Sequence, residues 1–408
     1  MSAAVVLDET GTPNWPSLLG TGGNDGNLDF TNNFMQQLGQ LFEIVSKQGG
    51  PRPTTSYLLS NALWSDPSNS LASASVGQYL PGAAGGANSS TGFDSGNRVN
   101  SWDFVLMMEG TIVFSARATR RLAPQDVTRA SAPFTVRGHA AGYASSGAEK
   151  AQRGEQWMPL WSRPATTKEV ASLFGEARVQ LGRQTANRPV DVTRAISRLG
   201  VGRGIDSFTR YGYLERNGQS TLAVALGRIS VRHHPRVHLI DDLGSWLDRL
   251  QRAASGKNAS ARLIHAERRL ADAVFNALTH DDTRERWQAI LRSAVAIESL
   301  QATGTAIEAG PMPRLRPEWV TALDDGSVEF RLALALGSAA AGYSKTEKQI
   351  DPVRHHWLPL EPGQWKFKTS DKRVMLDSRV VLHGRDLLTD CAAVVERRFM
   401  EAEQQGQR

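Results

Sequence analysis

From Leu239 to Thr303 apolar residues return every three or four positions, and the pattern breaks only near Gly256 and Asp281. That period predicts three successive helices, each with one apolar stripe. Helices joined by such short connections bury their stripes most easily against one another, so this stretch is committed to a helical bundle. Pro311, Pro313 and Pro317 end it, because proline supplies no N–H and excludes the preceding residue from helical geometry. The next strongest local signal lies upstream. Asn217-Gly218 sits between the alternating apolar residues of Tyr211–Val224, and both turn positions of a two-residue hairpin favour positive φ.

The remaining segments carry weaker patterns. A Gly-rich turn at Leu18–Phe34 leads into a helix whose apolar face continues through Leu38, Leu41, Phe42 and Val45. Residues 71–100 have loop composition, rich in Ser, Ala, Gly and Asn. Trp102–Leu122 is an apolar helix candidate with Arg117, Arg120 and Arg121 at its end, where cations meet the negative pole of the dipole. Thr166 and Glu169 have capping-box spacing ahead of a helix expected over Thr167–Arg183. A further helix is expected over Asp191–Leu199 and a short one over Ile205–Arg210. Strand candidates follow at Val328–Leu336 and Val374–Leu382, then a last helix over Arg385–Ala402. The fold class expected is α+β, mainly helical, with small antiparallel hairpins and a helical bundle in the C-terminal half. Four regions are read: 1–150, helical and loop-rich; 151–236, basic helix and hairpin; 237–310, the bundle; and 311–408, α+β.

Charge separates these regions. The whole chain carries +6, but residues 1–150 hold 9 Lys+Arg against 11 Asp+Glu, residues 151–300 hold 23 against 15, and residues 301–408 hold 15 against 15. The basic excess belongs to the middle, and 21 of its 23 cations are arginine. A planar guanidinium suits bidentate contact with phosphate. A genome that writes arginine for lysine gives the same composition, and composition does not choose between the two. Arg178, Arg183, Arg194, Arg198, Arg203, Arg210 and Arg216, interleaved with Tyr211 and Tyr213, form the candidate nucleic-acid surface, with ring faces on which unstacked bases can stack. Arg178, Arg194, Arg198 and Arg203 are expected at exposed helix or turn positions.

No recognisable catalytic set occurs in the sequence. Gly20, Gly22, Gly23, Asn24, Asp25 and Gly26 resemble a phosphate cradle, but the GK[ST] of a P-loop is absent and Asp25 and Asp29 would repel a nucleotide. This turn is read as an assembly contact, with a nucleotide-dependent enzyme kept as an alternative. His233-His234 and His355-His356 are read as surface or hairpin residues, since neighbours on a strand face opposite ways and share a metal poorly. Asp241-Asp242, Asp281-Asp282 and Asp324-Asp325 are read as helix-end or turn carboxylates. Cys391 is the single cysteine, which excludes an intrachain disulfide and suits a cytoplasmic setting. No apolar run is long enough for a membrane span. No cofactor, metal or catalytic residue is expected.

Four blocks in order, LLGTGGNDGNLDFTNNFMQQL (Leu18–Leu38), SWDFVLMMEG (Ser101–Gly110), WMPLWSRPAT (Trp157–Thr166) and GVGRGIDSFTRYGYLERNG (Gly200–Gly218), resemble the large subunit of type I-G (formerly I-U) CRISPR effector complexes. The resemblance is dense over the first 230 residues or so and loose beyond. It implies a non-catalytic subunit of a ribonucleoprotein that assembles on guide RNA with backbone subunits. Such a complex holds target DNA and recruits a separate helicase–nuclease in trans. Residues 237–310 then stand where a small-subunit-like bundle would line a DNA strand. Family members carry a substantial region ahead of the first block, which here begins at Leu18. The chain therefore reads as lacking that region, as a truncated form, a separately encoded half or an internal-initiation product. A protein-only scaffold of the same complex is the other alternative.

Overall fold

A computed structural model describes residues 6–7, 13–14, 30–45, 47–73, 98–110, 113, 117–118, 130–131, 134–136, 155–175, 180–181, 184–185, 188–199, 204–216, 220–302, 304, 309–338, 354–361, 364–371, 373–376, 380–381 and 386–404. The chain divides into two compact units, Met1–His233 and His234–Arg408. The regions read as 1–150 and 151–236 thus share the first unit almost entirely, and 237–310 and 311–408 share the second. The architecture is α+β and mainly helical.

In the first unit, helices α1 (Phe30–Leu41), α2 (Thr55–Trp64) and α3 (Ser101–Gly110) surround buried Leu41, Leu58 and Val105. Phe34, Leu38, Phe42, Leu71 and Trp102 pack against that centre. The expected α1 stripe therefore turns its first three members to the core, Leu41 buried and Leu38 and Phe42 half-buried, while Val45 stands 94% exposed beyond the helix. Helix α3 ends at Gly110, well short of Leu122, because glycine and the β-branched Thr111-Ile112-Val113 disfavour its continuation. Arg117–Ala118 instead pairs antiparallel with Ala130–Ser131.

The main sheet of this unit is antiparallel, with β1 (Thr135–Val136), β2 (Glu155–Leu160), β3 (Ser207–Arg216) and β4 (Ser220–Ser230) in the order β4-β3-β2-β1. The hairpin expected at Asn217-Gly218 is β3–β4, with Arg216 opposite Ser220 and Ser207 opposite Ser230. Its turn, 217–219, lies outside the described residues. Pairing shifts between Arg210 and Tyr211, leaving Leu226 as an extra residue beside Gly227, whose φ of 141 is one that glycine tolerates. Ile205–Arg210, expected as a short helix, instead leads into and forms the start of β3. Its Ile, Phe and Thr suit a pleated surface, and Phe208 buries itself between Phe134 and Trp157 at centroid distances of 5.6 and 5.9 Å. Helix α4 (Thr167–Gly175) starts at a complete capping box: the Thr166 N–H donates to Glu169 Oε2 at 2.7 Å and the Glu169 N–H to Thr166 Oγ1 at 3.3 Å. It stops at Gly175, and Gln180–Leu181 pairs with Gln184–Thr185 where a longer helix was expected. Helix α5 spans Pro189–Leu199.

The second unit holds the bundle that the period demanded: α6 (Val237–Ala254), α7 (Ala261–Thr279) and α8 (Arg284–Ala302). Trp246, Leu250, Leu270, Val274, Trp287, Ile290, Ala294 and Ile297 are fully buried at its centre. Short α9 (Glu318–Leu323) adds Trp319, edge-on to Trp287 at 5.7 Å. Val328–Leu336, expected as a strand, is helix α10 (Val328–Ser338). One turn, α11 (Arg354–Trp357), and α12 (Leu387–Gln404) follow, with Leu358, Leu360 and Phe367 packed on Ala302 and Val394 on Val381. Among the described residues no helix is long and apolar enough to cross a membrane.

Candidate nucleic-acid interface

The candidate arginines separate by burial. Arg210 is 5% exposed and gives its guanidinium to Glu155, with Nε–Oε2 at 3.0 Å and Nη2 2.9 and 2.8 Å from Oε1 and Oε2. Sheet register accounts for this: Arg210 lies opposite Trp157, so Glu155 is its diagonal neighbour on the same face. Trp157 completes the group, its Nε1–H donating to Glu155 Oε2 at 3.0 Å while the guanidinium lies 5.3 Å from its ring centroid. Arg194 is 5% exposed on α5, with Nη1 3.7 Å from Asp191, and Arg188 holds the same carboxylate through Nε at 3.0 Å and Nη2 at 3.1 Å.

These placements correct two expectations. Arg194 is not an exposed helix position, and Arg210 is not on a surface that nucleic acid could touch. A charge four residues from another on one helix is as compatible with a carboxylate three residues away as with a phosphate, and here Asp191 takes it. Arg198 is exposed and Tyr211 half-buried. Arg216 and Tyr213 lie on β3. Arg178, Arg183, Arg203 and the assembly turn of Gly20, Gly22, Gly23, Asn24 and Asp25 fall outside the described residues.

The bundle offers a second basic surface. On α7, Leu263, Glu267, Leu270, Ala271, Val274 and Leu278 are buried, which fixes the inward side. Arg262, His265 and Arg269, spaced three and four apart, occupy the opposite, exposed side. Exposed Lys257 stands in the turn just before the helix, and Arg252 at the end of α6. Among the described residues, Lys257, Arg262, His265 and Arg269 form no ion pair. Ser260 caps α7 by accepting from the Leu263 N–H at 3.2 Å, which holds the turn and its cations in place. Arg262 and Arg269 are about 10 Å apart along the axis at 1.5 Å per residue, a span two phosphates of an extended strand can match. This face was readable from the sequence, since its cations recur at helical period opposite the apolar stripe, but it lacks the interleaved aromatic residues that mark the hairpin.

The acidic and histidine doublets serve the fold. Asp242 accepts from Arg316 through N, Nε and Nη2 at 3.0, 2.8 and 2.6 Å and from Trp319 Nε1 at 3.1 Å. Burial pushes its carboxyl up, but the Arg316 bonds and charge and the Trp319 bond outweigh it and hold the group below the usual carboxylate range. Asp282 accepts from Trp287 Nε1 at 2.7 Å and pairs with Arg236 at 3.1 Å. His234, His355 and His356 are buried, which corrects their reading as surface residues; His233 and His238 are exposed. Among the described residues no three His, Cys, Asp or Glu side chains cluster as metal ligands would.

No protein-family model matches the chain. A probable D-serine dehydratase of Burkholderia lata is 40% identical to it over 67 residues, which is 16% of this chain and 15% of that protein. The chain thus spans about 15% of the curated relative it matches, too small a share to carry that protein's activity across.

Proposed function

We propose that this chain is a non-catalytic, nucleic-acid-contacting large subunit, or a fragment of one, in a type I CRISPR ribonucleoprotein. In that setting it assembles with guide RNA and backbone subunits, holds target DNA and helps recruit a separate helicase–nuclease. The four sequence blocks supply the family. The observation that carries nucleic-acid binding is the exposed face of Lys257, Arg262, His265 and Arg269 on and beside α7. The bundle face joins exposed Arg198 as a surface open to nucleic acid, while buried Arg194 and Arg210 leave the candidate set.

Fluorescence anisotropy of a labelled single-stranded DNA, read across a salt series, tests this. Replacing Lys257, Arg262 and Arg269 together with Gln is expected to lower the log–log salt slope by about 0.7 for each phosphate that is no longer neutralised. The chain is expected to leave single and double strands uncut with magnesium, manganese or zinc supplied. An unchanged slope overturns the α7 surface, and cutting that one Asp or His substitution abolishes overturns the non-catalytic reading.

One observation favours a second reading, a protein-only scaffold. Helix α12 exposes Leu388, Val395, Phe399 and Met400, an apolar stripe suited to a protein neighbour. Absence of salt-dependent strand binding by the intact chain selects that reading.

A further inference from the structure

Beside α8 the second unit brings two arginines, one carboxylate and an indole together. Glu298 of α8 is 4% exposed and accepts from the Met312 N–H at 2.8 Å and from Arg354 Nη2. The Met312 carbonyl accepts from Trp365 Nε1 at 2.7 Å, which fixes the indole. Two guanidinium carbons then lie over that one ring, Arg354 at 4.5 Å and Arg314 at 4.9 Å from its centroid. Arg354 has Glu298 as its counter-ion. Arg314 is exposed, and among the described residues its guanidinium has neither an ion pair nor a hydrogen bond. Burial foremost, and the charge of Arg314 in addition, lower the pKa of Arg354 against the opposing pull of Glu298. Glu298 thus pairs with Arg354, while exposed Lys366, whose carbonyl accepts from the Glu361 N–H at 2.9 Å, stands next in sequence to the indole.

An arginine in this position differs from an ordinary surface arginine. The ring restricts the guanidinium plane, so less freedom is lost when its N–H edge meets a planar pair of oxygens. Pro313 fixes the backbone immediately before it. We propose that Arg314, laid on Trp365 beside which Arg354 also lies, is a phosphate hook that grips one phosphodiester of a single-stranded nucleic acid. The site is open and offers one fork edge. A phosphodiester presents two free oxygens and is already held nearby by other contacts on the same strand, so one fork adds to affinity without having to bind alone. The assignment rests on the reading of the chain as a strand-holding subunit, and it adds a phosphate site that the α7 face does not include.

The test uses the full chain, a labelled single-stranded DNA and a salt series, with Arg314→Gln and Arg314→Lys beside the Arg262→Gln, Arg269→Gln pair. Arg314→Gln is expected to weaken binding about tenfold, as removal of a charge-assisted hydrogen bond does, and to lower the salt slope by about 0.7. Arg314→Lys is expected to keep the slope while losing part of the affinity, because the charge remains and the fork does not. Arg314 is exposed, so thermal melts of both variants are expected to overlay the parent's. A wild-type slope in Arg314→Gln, with the α7 pair still lowering it, overturns the hook and leaves the strand-holding reading standing. A slope in Arg314→Lys as low as in Arg314→Gln also overturns it, since the charge would then be irrelevant. No strand binding by the parent chain overturns both. Inorganic phosphate at fixed ionic strength, raising the melting temperature of the parent but not of Arg314→Gln, would assign the site to the free anion and overturn the strand.

Discussion

Arg198 and Arg210 look alike in the sequence, each a cation in a basic stretch, yet they differ in what removing them costs. Arg210 leaves the Glu155 carboxylate buried without its counter-ion, and breaking one side of such a pair costs about 3–5 kcal/mol. Arg198 is exposed, and its replacement is expected to cost about 1 kcal/mol at most, the ceiling for an exposed ion pair. Urea denaturation of Arg210→Ala and Arg198→Ala measures the difference, and equal midpoints would mean that the Glu155 pair is not sequestered. Asp242 carries a pH prediction. Its carboxyl is held below its unfolded value, so its contribution is fully present above that value and is lost as pH falls through the folded one. Asp242→Asn is expected to destabilise the chain by about 2 kcal/mol near neutral pH, because it removes bonds to a charged group. It is expected to flatten the acid-side fall of melting temperature below about pH 4. A parallel fall in both proteins would show that Asp242 is not the titrating group. The candidate site was legible at this scale only as residue types. Arg210 and Glu155 are far apart in the sequence, and nothing local announces that a sheet register sets them diagonally. The same holds for Glu298, Arg314, Arg354 and Trp365.

Elements were legible where one pattern acted alone. The three bundle helices start and stop at the expected breaks because their apolar stripe, the Gly256 turn and the Asp281 turn all agree. The Asn217-Gly218 hairpin followed from turn chemistry in the same way. Val328–Leu336 shows where patterns compete. Its Val, Phe and Leu residues alternate as in a strand, but Leu and Ala favour a helix, and the Ser327 hydroxyl accepts from the Phe330 N–H at 3.0 Å to start one. Wrapping a period of two around a helix leaves Leu332 and Leu334 exposed, as observed. In α4 the local signal is the whole of the start, so it can be tested by itself. Thr166→Ala removes the hydroxyl that accepts from the Glu169 N–H and is expected to cost about 1 kcal/mol. Glu169 is held below its ordinary pKa by the Thr166 N–H and hydroxyl, so the cost is expected to shrink when acid protonates it. A Thr166→Ala variant as stable as its parent near neutral pH would show that the box does not set the start of α4.

For the molecule as a whole, the basic middle straddles the division after His233, and burial decides which part of it is surface. On the hairpin side Arg188, Arg194 and Arg210 are engaged by Asp191 and Glu155. On the bundle side Lys257, Arg262 and Arg269 stand exposed, and net charge read from sequence cannot distinguish these cases. The bundle lies within the second compact unit, with Trp246, Leu270, Trp287 and Ile290 fully buried. Residues 234–408, produced alone, are therefore expected to unfold in one cooperative transition and to keep most of the salt-dependent strand binding of the full chain. Trp287→Ala in that fragment is expected to cost about 3–5 kcal/mol through the cavity it leaves. Circular dichroism melts and anisotropy on the same sample check both parts. A broad, dye-binding transition would mean that the bundle depends on the first unit for its core. A cooperative fragment without strand affinity would return strand binding to Arg178, Arg183, Arg198 and Arg203, because the α7 cations would then be present, correctly folded and insufficient.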